Sequence, residues 1–218
     1  HVEMRHPSKS GVNLFGKNIS VVYLENDNKH GVDFCNSMAE GFASTLEKDY
    51  GTGEGSIGIY RMRASEGADY ASKDSLFNLL MDTGSDVVFL MDTVRFGVMS
   101  VGGPSKVASP SSPDSSYVSE GYLPFAMTLY CFDAMDKTET VNAFSDTSVA
   151  KPSVYSNGKD DSTNATLKAW RSLKDEGWNA GVQMAGAFKG QWKHEMYSIL
   201  YYDSEKWYTA LVKAEDFD

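Results

Sequence analysis

NISVVYL (18–24), DFCNSMAEGFASTLEKDY (33–50), SIGIYRM (56–62), SKDSLFNLLMDTG (72–84) and SDVVFLMD (85–92) decide the fold, because apolar residues in them recur with the periods of buried strands and helices in turn. Ile19, Val21, Val22, Tyr23 and Leu24 form a nearly continuous apolar run, as in a strand covered on both faces. Phe34, Met38, Phe42, Leu46 and Tyr50 recur every four residues, with Ala39 and Ala43 beside them, and so share one stripe of a helix. Asp33 is placed to cap its start, and Gly51, Gly53 and Gly55 to end it. Ile57, Ile59 and Tyr60 resume an extended pattern. Ser72 stands where an N-cap belongs, Leu76, Phe77, Leu79 and Leu80 supply a second apolar helix face, and Gly84 suits the residue after the last turn. Val87 to Met91 is another buried-strand run. Strands alternating with helices of this length need crossover connections, hence at least partly parallel pairing.

Beyond this unit, GVMSVGGPSKVASPSSPDSSYVSEG (97–121) is rich in Ser, Gly and Pro and reads as a long mobile loop. Tyr122 to Ala134 alternates as a strand, and MDK (135–137) is a hairpin turn into residues 138–146, adding an antiparallel pair to the sheet. Pro152 confines the extended segment VAKPSVYSN to a sheet edge. A helical region opens near Ser162 or Thr163, carries Leu167, Trp170 and Leu173 on one face, and continues through Val182, Met184, Ala185 and Phe188 past a weak point at Gly177. Gly190 stops it. Tyr197 to Tyr202 reads as a strand, and SEKWYTALVKAEDFD (204–218) begins one more helix. Before the core, Val2 and Met4 alternate ahead of a Pro-Ser-Lys-Ser-Gly turn, as in a short edge strand. The expected fold is therefore α/β: a mixed β-sheet with a strand-helix-strand-helix-strand core, an added antiparallel hairpin and covering helices. Residues 1–203 form that domain, and 204–218 start a helical extension.

The chain has 218 residues and a formal net charge of −10. Its arginines, Arg5, Arg61, Arg63, Arg95 and Arg171, are scattered, so no basic stripe exists to neutralise phosphates and nucleic acid is not an expected partner. No apolar run approaches the roughly 18 residues of a membrane span. A first residue other than methionine, His1, implies that an upstream segment was removed. Cys35 beside the first helical stripe and Cys131 within a later strand read as two buried thiols.

No catalytic or cofactor motif survives a test of context. Gly53-Glu54-Gly55-Ser56-Ile57-Gly58 matches a dinucleotide fingerprint in letters, but it follows a helix and opens a strand, the reverse of what phosphate binding needs. The context of Ser100 is not a nucleophile elbow. His1, His6, His30 and His194 lack metal-site spacing, the cysteines form no CxxC pair, and Asp160 and Asp161 lack the distal Glu of a calcium loop. No catalytic residue, metal ligand or cofactor is expected. Ligands of open α/β sheets bind at the carboxyl ends of the strands, which here carry Glu25, Asn26, Asp27 and Asn28 after the first strand and Asp92 and Arg95 after the third. The competing reading of those residues is turn and cap chemistry. The aromatic set Trp178, Trp192, Tyr197, Tyr201, Tyr202, Trp207 and Tyr208 reads as packing between sheet and helices ahead of a ligand platform.

The run GWNAGVQMAGAFKGQWKHEMYSILYYDSEKWYTALVKAEDFD, through Gly177, Gly181, Ala185, Trp192, Tyr201, Tyr202, Trp207, Ala210, Ala214 and Asp216, resembles a family of Bacteroides-type lipoproteins of unknown function. HPSKSGVNLFGKNISVVYLEND resembles that family's opening strands. The resemblance implies an α/β domain followed by tetratricopeptide-like helices, a lipid anchor upstream and a place in the cell envelope. In architecture alone the chain also resembles periplasmic modules of curli-pore and penicillin-binding-protein-activator lipoproteins. The leading expectation is a non-catalytic envelope domain that binds a protein partner or scaffolds an assembly. Its touch on the membrane would run only through the removed anchor, and Trp207, Tyr208 and Leu211 would form a partner surface. The alternatives are a small-ligand or glycan module at the carboxyl edge, and a hydrolase with an unrecognised site.

Overall fold

The computed structural model of the chain describes residues 2–6, 8–51, 57–107, 116–156 and 162–195. It divides into two compact units, residues 1–6 with 190–218, and residues 7–189. In the smaller unit the expected edge strand forms as β1 (Val2–His6) and pairs antiparallel with Gln191–Glu195, Val2 opposite Glu195 and His6 opposite Gln191. That second strand, QWKHE, carries no apolar alternation and gave no signal in the sequence. The strand expected at 197–202 and the helix expected at 204–218, with Trp207, Tyr208 and Leu211, lie outside the described residues.

In the larger unit β2 (Ile19–Leu24), α1 (Lys29–Tyr50), β3 (Gly58–Met62), α2 (Lys73–Thr83) and β4 (Val87–Met91) form the expected core, with β2 pairing parallel to β3 on one side and to β4 on the other. Every residue of β2 and β4 is buried, which is why both read as unbroken apolar runs. The caps of α2 are those expected: the Ser72 side chain accepts from the Ser75 N–H, and Gly84 closes the helix with φ at +63°. The start of α1 differs. Asn28, not Asp33, caps it by accepting from the His30 N–H, so the helix begins at Lys29, where the first acceptor side chain meets the exposed amides.

Residues 97–121 differ from the loop expected of them. After β4 the chain runs on as β5 (Arg95–Phe96), β6 (Ser100–Val101) and β7 (Ser105–Val107), each antiparallel to a successive part of β8 (Ser116–Asp133). Among the described residues of the segment, 100–101, 105–107 and 116–121 thus belong to two arms of a β-ribbon. Gly97, Gly102, Gly103 and Pro104 break one arm into short pieces, and pairing with β8 holds Ser- and Gly-rich backbone that has little strand preference of its own. On its other edge β8 takes β9 (Val141–Ala150), the expected hairpin partner, and β10 (Ser153–Ser156). The sheet is mixed, in the order β3, β2, β4, β8, with β9 and β10 beyond.

One face of the sheet packs on α1 and on α4 (Leu173–Ala185), which follows α3 (Ser162–Arg171). Phe34, Met38, Phe42 and Leu46 are fully buried there, as their four-residue spacing requires. Phe42, Phe89 and Phe188 meet edge to face with centroids 5.0–5.8 Å apart. Gly177 is not a weak point: the helix break falls at Ser172, and Gly177 and Gly181 are where α4 touches α1. A Cβ on Gly177 would sit 2.4 Å from the Phe34 carbonyl oxygen, and one on Gly181 2.0 Å from that of Met38. Across from them the buried Ser37, Gly41 and Thr45 line α1 at the same four-residue spacing.

On the opposite face Leu76 and Leu80 of α2 pack against Val22, Leu24, Val88, Leu90 and Phe132. Phe77, expected in that face, is 46% exposed, because it lies about 100° round the helix from Leu76. Leu167 of α3, expected to point inward with Trp170 and Leu173, is likewise exposed. The contacts of α2 end at β8, so the part of this face formed by β5, β6, β8 and β9 has no helix over it among the described residues.

Candidate functional site

At the carboxyl ends of β2 and β4 the predicted residues do come together, mostly through bonds that shape the chain. The Asn26 amide Nδ2 donates to the Val94 carbonyl at 2.6 Å, tying the loop after β2 to the loop after β4. Its Oδ1 accepts from the Asn28 N–H at 2.9 Å, and Asn28 in turn caps α1. The Glu25 carboxylate lies 3.5 Å from Arg61 of the edge strand β3 and 3.4 Å from Arg63 just after it, both exposed, where such pairs contribute little. Asp92 Oδ1 accepts from the Thr93 N–H at 2.7 Å. Asp27 is exposed and makes no hydrogen bond to a described residue. Gly31 is required here, since a Cβ on it would lie 2.7 Å from Asn26 Oδ1 and 2.8 Å from the Phe96 ring. Phe96 packs against Phe34 at 5.3 Å and against Trp170 of α3 at 5.8 Å, and His30 stands 6.0 Å from the same indole. Aromatic rings pack beside the start of α1, next to the loops where a sheet-edge ligand was expected.

Arg95 is placed differently from the other five. It is exposed, has no carboxylate partner among the described residues, and borders an open trough of about 390 Å³ on the uncovered face. Residues directly opposite in an antiparallel ladder share a face. Arg95, Ala126 and Thr147 therefore stand in one row across three strands, and Pro124 and Val149 in the next, where Gly97 donates its N–H to the Pro124 carbonyl at 2.7 Å. The small side chain of Ala126 between Arg95 and Thr147 makes the trough, with Pro124 and Val149 as its apolar floor. Tyr122 continues the floor along β8, 41% exposed, with the Lys151 ammonium 5.9 Å from its ring centroid. Sequence reasoning missed Ala126, Thr147 and Val149. The alternation of β8 and β9 was legible, but nothing in the sequence tells which side of a hairpin a helix will leave bare.

A second cavity, of about 460 Å³, lies at the other end of the strands. Ser10, Gly11, Val12 and Asn13 of the loop before β2, with Lys17, face Asp133 at the end of β8, Asp136 of the β8–β9 turn and Asn142 of β9. The Lys17 ammonium is paired to Asp133 Oδ2, and both side chains are mostly buried. Hydrogen bonds from the Thr138 backbone and hydroxyl hold the Asp136 carboxyl below the usual carboxylate range.

Cys35 and Cys131 are free and buried on the helix-covered face. Burial pushes the Cys35 thiol up to about 12 and the Cys131 thiol up as well, so neither is a nucleophile near neutrality. Among the described residues no three or more His, Cys, Asp or Glu side chains gather as a metal site, and no described helix is long and apolar enough to cross a membrane.

No protein-family model and no curated protein matches this chain. Solved structures that it is similar to include a candidate neuraminyllactose-binding hemagglutinin homolog from Helicobacter pylori, at 11% identity and TM-score 0.30 over 83% of this chain and 96% of that one. The hypothetical protein CT253 from Chlamydia trachomatis is 11% identical at TM-score 0.32, over 78% of this chain and 96% of that one. A minor lipoprotein from Acinetobacter baumannii is 9% identical at TM-score 0.32, over 79% and 98%. Lipoproteins thus stand among the structural neighbours, at TM-scores too low to carry an argument about ligand or partner.

Proposed function

We propose that this chain is a non-catalytic binding domain of a cell-envelope lipoprotein, and that it engages a protein partner on the uncovered half of its sheet. The observation that carries the reading is the bare face itself: among the described residues Tyr122, Pro124, Val149 and Arg95 are solvent-exposed on it, while on the other side of β8 Leu123, Phe125, Met127, Leu129 and Cys131 are buried. A partner suited to it presents apolar side chains to Pro124 and Val149 and a carboxylate to Arg95. The envelope setting, the upstream lipid anchor and the kinship with Bacteroides-type lipoproteins rest on the resemblance of the sequence. On the same footing Trp207, Tyr208 and Leu211 belong to a second contact surface.

The test is site-specific photo-crosslinking in cells, with the reactive group at Val149 and, as control, at Lys48 near the end of α1. A discrete adduct from position 149, lost on Arg95→Ala and absent from position 48, supports the reading. Equal labelling from both positions, or an adduct indifferent to Arg95, overturns it. A small-ligand role near the carboxyl edge is the second reading. It is favoured by the trough beside Arg95, whose volume of about 390 Å³ falls within the range of small-molecule sites.

A further inference from the structure

The cavity at the amino ends of the parallel strands is built from chemistry opposite to that of the trough. Its walls are held from both sides. On the loop before β2, the buried Ser8 hydroxyl donates to the Val12 carbonyl at 3.0 Å, Ser10 Oγ accepts from the Val12 N–H at 3.3 Å, and Leu14 is fully buried as the loop's anchor. On the hairpin turn, Asp133 Oδ1 accepts from the Met135 N–H at 2.9 Å, Asp136 Oδ1 accepts from the Thr138 N–H at 3.0 Å, and the Ala134 N–H donates to the Asp86 carbonyl at 3.0 Å. The Lys17–Asp133 ion pair joins the two sides.

What this frame leaves unused is a mixed set of donors and acceptors. Asn142 makes no side-chain hydrogen bond to a described residue. Asn13 uses only its Oδ1, which accepts from the Phe15 N–H at 3.1 Å, so its Nδ2 is unspent. The Lys17 ammonium has three protons and pairs with one carboxylate oxygen, Asp133 Oδ2. Charge narrows the ligand further. Lys17 and Asp133 cancel, which leaves Asp136, and the chain as a whole carries −10. Phosphates and carboxylates are therefore repelled. Apolar ligands gain little, because among the described residues Val12 is the only large apolar one in the wall.

We propose that this cavity binds a neutral polyhydroxylated ligand, a small sugar, through Asn13, Lys17, Asp136 and Asn142. Each hydroxyl of a sugar both donates and accepts, which matches side-chain amides beside an ammonium and a carboxylate. The site is independent of the protein-binding face, and Arg95 takes no part in it.

The experiment is a titration of the ¹⁵N-labelled protein with glucose, galactose, N-acetylglucosamine and lactose, each to tens of millimolar, followed by amide chemical shifts. The expected result is that at least one of them moves the side-chain amides of Asn13 and Asn142 and the backbone amides of residues 10–17 and 133–142. Asn142→Ala, at a half-buried edge position, should weaken that binding about five- to tenfold, the loss of one or two neutral hydrogen bonds. Arg95→Ala should leave it unchanged. The inference is overturned if none of the four sugars shifts these amides, if Asn142→Ala binds as well as the parent, or if sodium phosphate produces the same shifts. Loss of the Val149 crosslink on Arg95→Ala with sugar binding intact would separate this site from the partner surface.

Discussion

One face of the sheet is packed by two helices whose backbones nearly touch, while the other is covered over β2 and β4 by α2 and, among the described residues, left bare over β8 and β9. The same strands supply both. In β8, Leu123, Phe125, Met127, Leu129 and Cys131 are buried on the sealed side, whereas Tyr122, Pro124, Ala126 and Thr128 alternate with them on the other and stay exposed or half-exposed. The difference teaches where the stability of this domain resides and where it can meet other molecules. A side chain among close-packed neighbours is costly to change, and one on an open face is nearly free to vary.

The comparison is broken most directly at Phe42. Phe42→Ala should lower the unfolding free energy by about 3–5 kcal/mol in denaturant titration. A loss below about 1 kcal/mol would mean that the sealed face is not sealed. Gly181→Ala comes next. Its methyl group would have to sit 2.0 Å from the Met38 carbonyl oxygen, so α1 and α4 must separate, and a loss of about 1–3 kcal/mol is expected. If this variant instead gains stability through helix propensity, the helices are not in backbone contact.

A third effect belongs to the two thiols of the sealed face. Both have raised pKa values when folded, so their contribution is fully present below the ordinary thiol pKa near 9 and is lost as pH climbs from there towards the folded value, about 12 for Cys35. Tyr23, raised chiefly by burial, acts in the same direction. Stability should fall between pH 8 and pH 10 by on the order of 1 kcal/mol per thiol. A Cys35→Ala, Cys131→Ala double variant should flatten most of that slope, and native protein at pH 8 should resist iodoacetamide. Rapid alkylation would show that the face opens. The smallest effect sharpens the contrast: Val149→Thr and Tyr122→Ser on the bare face should each change stability by less than about 0.5 kcal/mol in the same titration. A larger loss would reveal that something covers this surface.

The carboxyl-edge residues show how far a site can be read from sequence. Their place at the ends of β2 and β4 was legible, because strand ends follow from periodicity. Their roles were not. Asn26 bonds to Val94, sixty-eight positions away, and Asn28 is occupied by its own helix, so the turn chemistry weighed against ligand binding accounts for both. Arg95 stood among the expected residues, yet the trough it borders is made by Ala126 and Thr147, brought beside it by two pairings that no local pattern encodes.

By itself the sequence determined the α/β core: the stripe of α1, the caps of α2 and the buried runs of β2 and β4 are properties of residues within one turn or one strand of each other. Tertiary structure alone decided the rest. It turned Ser- and Gly-rich residues of 97–121 into ribbon by offering β8 as a partner, and it made contact points of Gly177 and Gly181 by bringing α1 against them. Among the described residues it left β8 and β9 without a helix on one face. Each of these depends on which backbone lies alongside, and hydrogen-bond pairing and close packing join residues whose separation along the chain leaves no period to read.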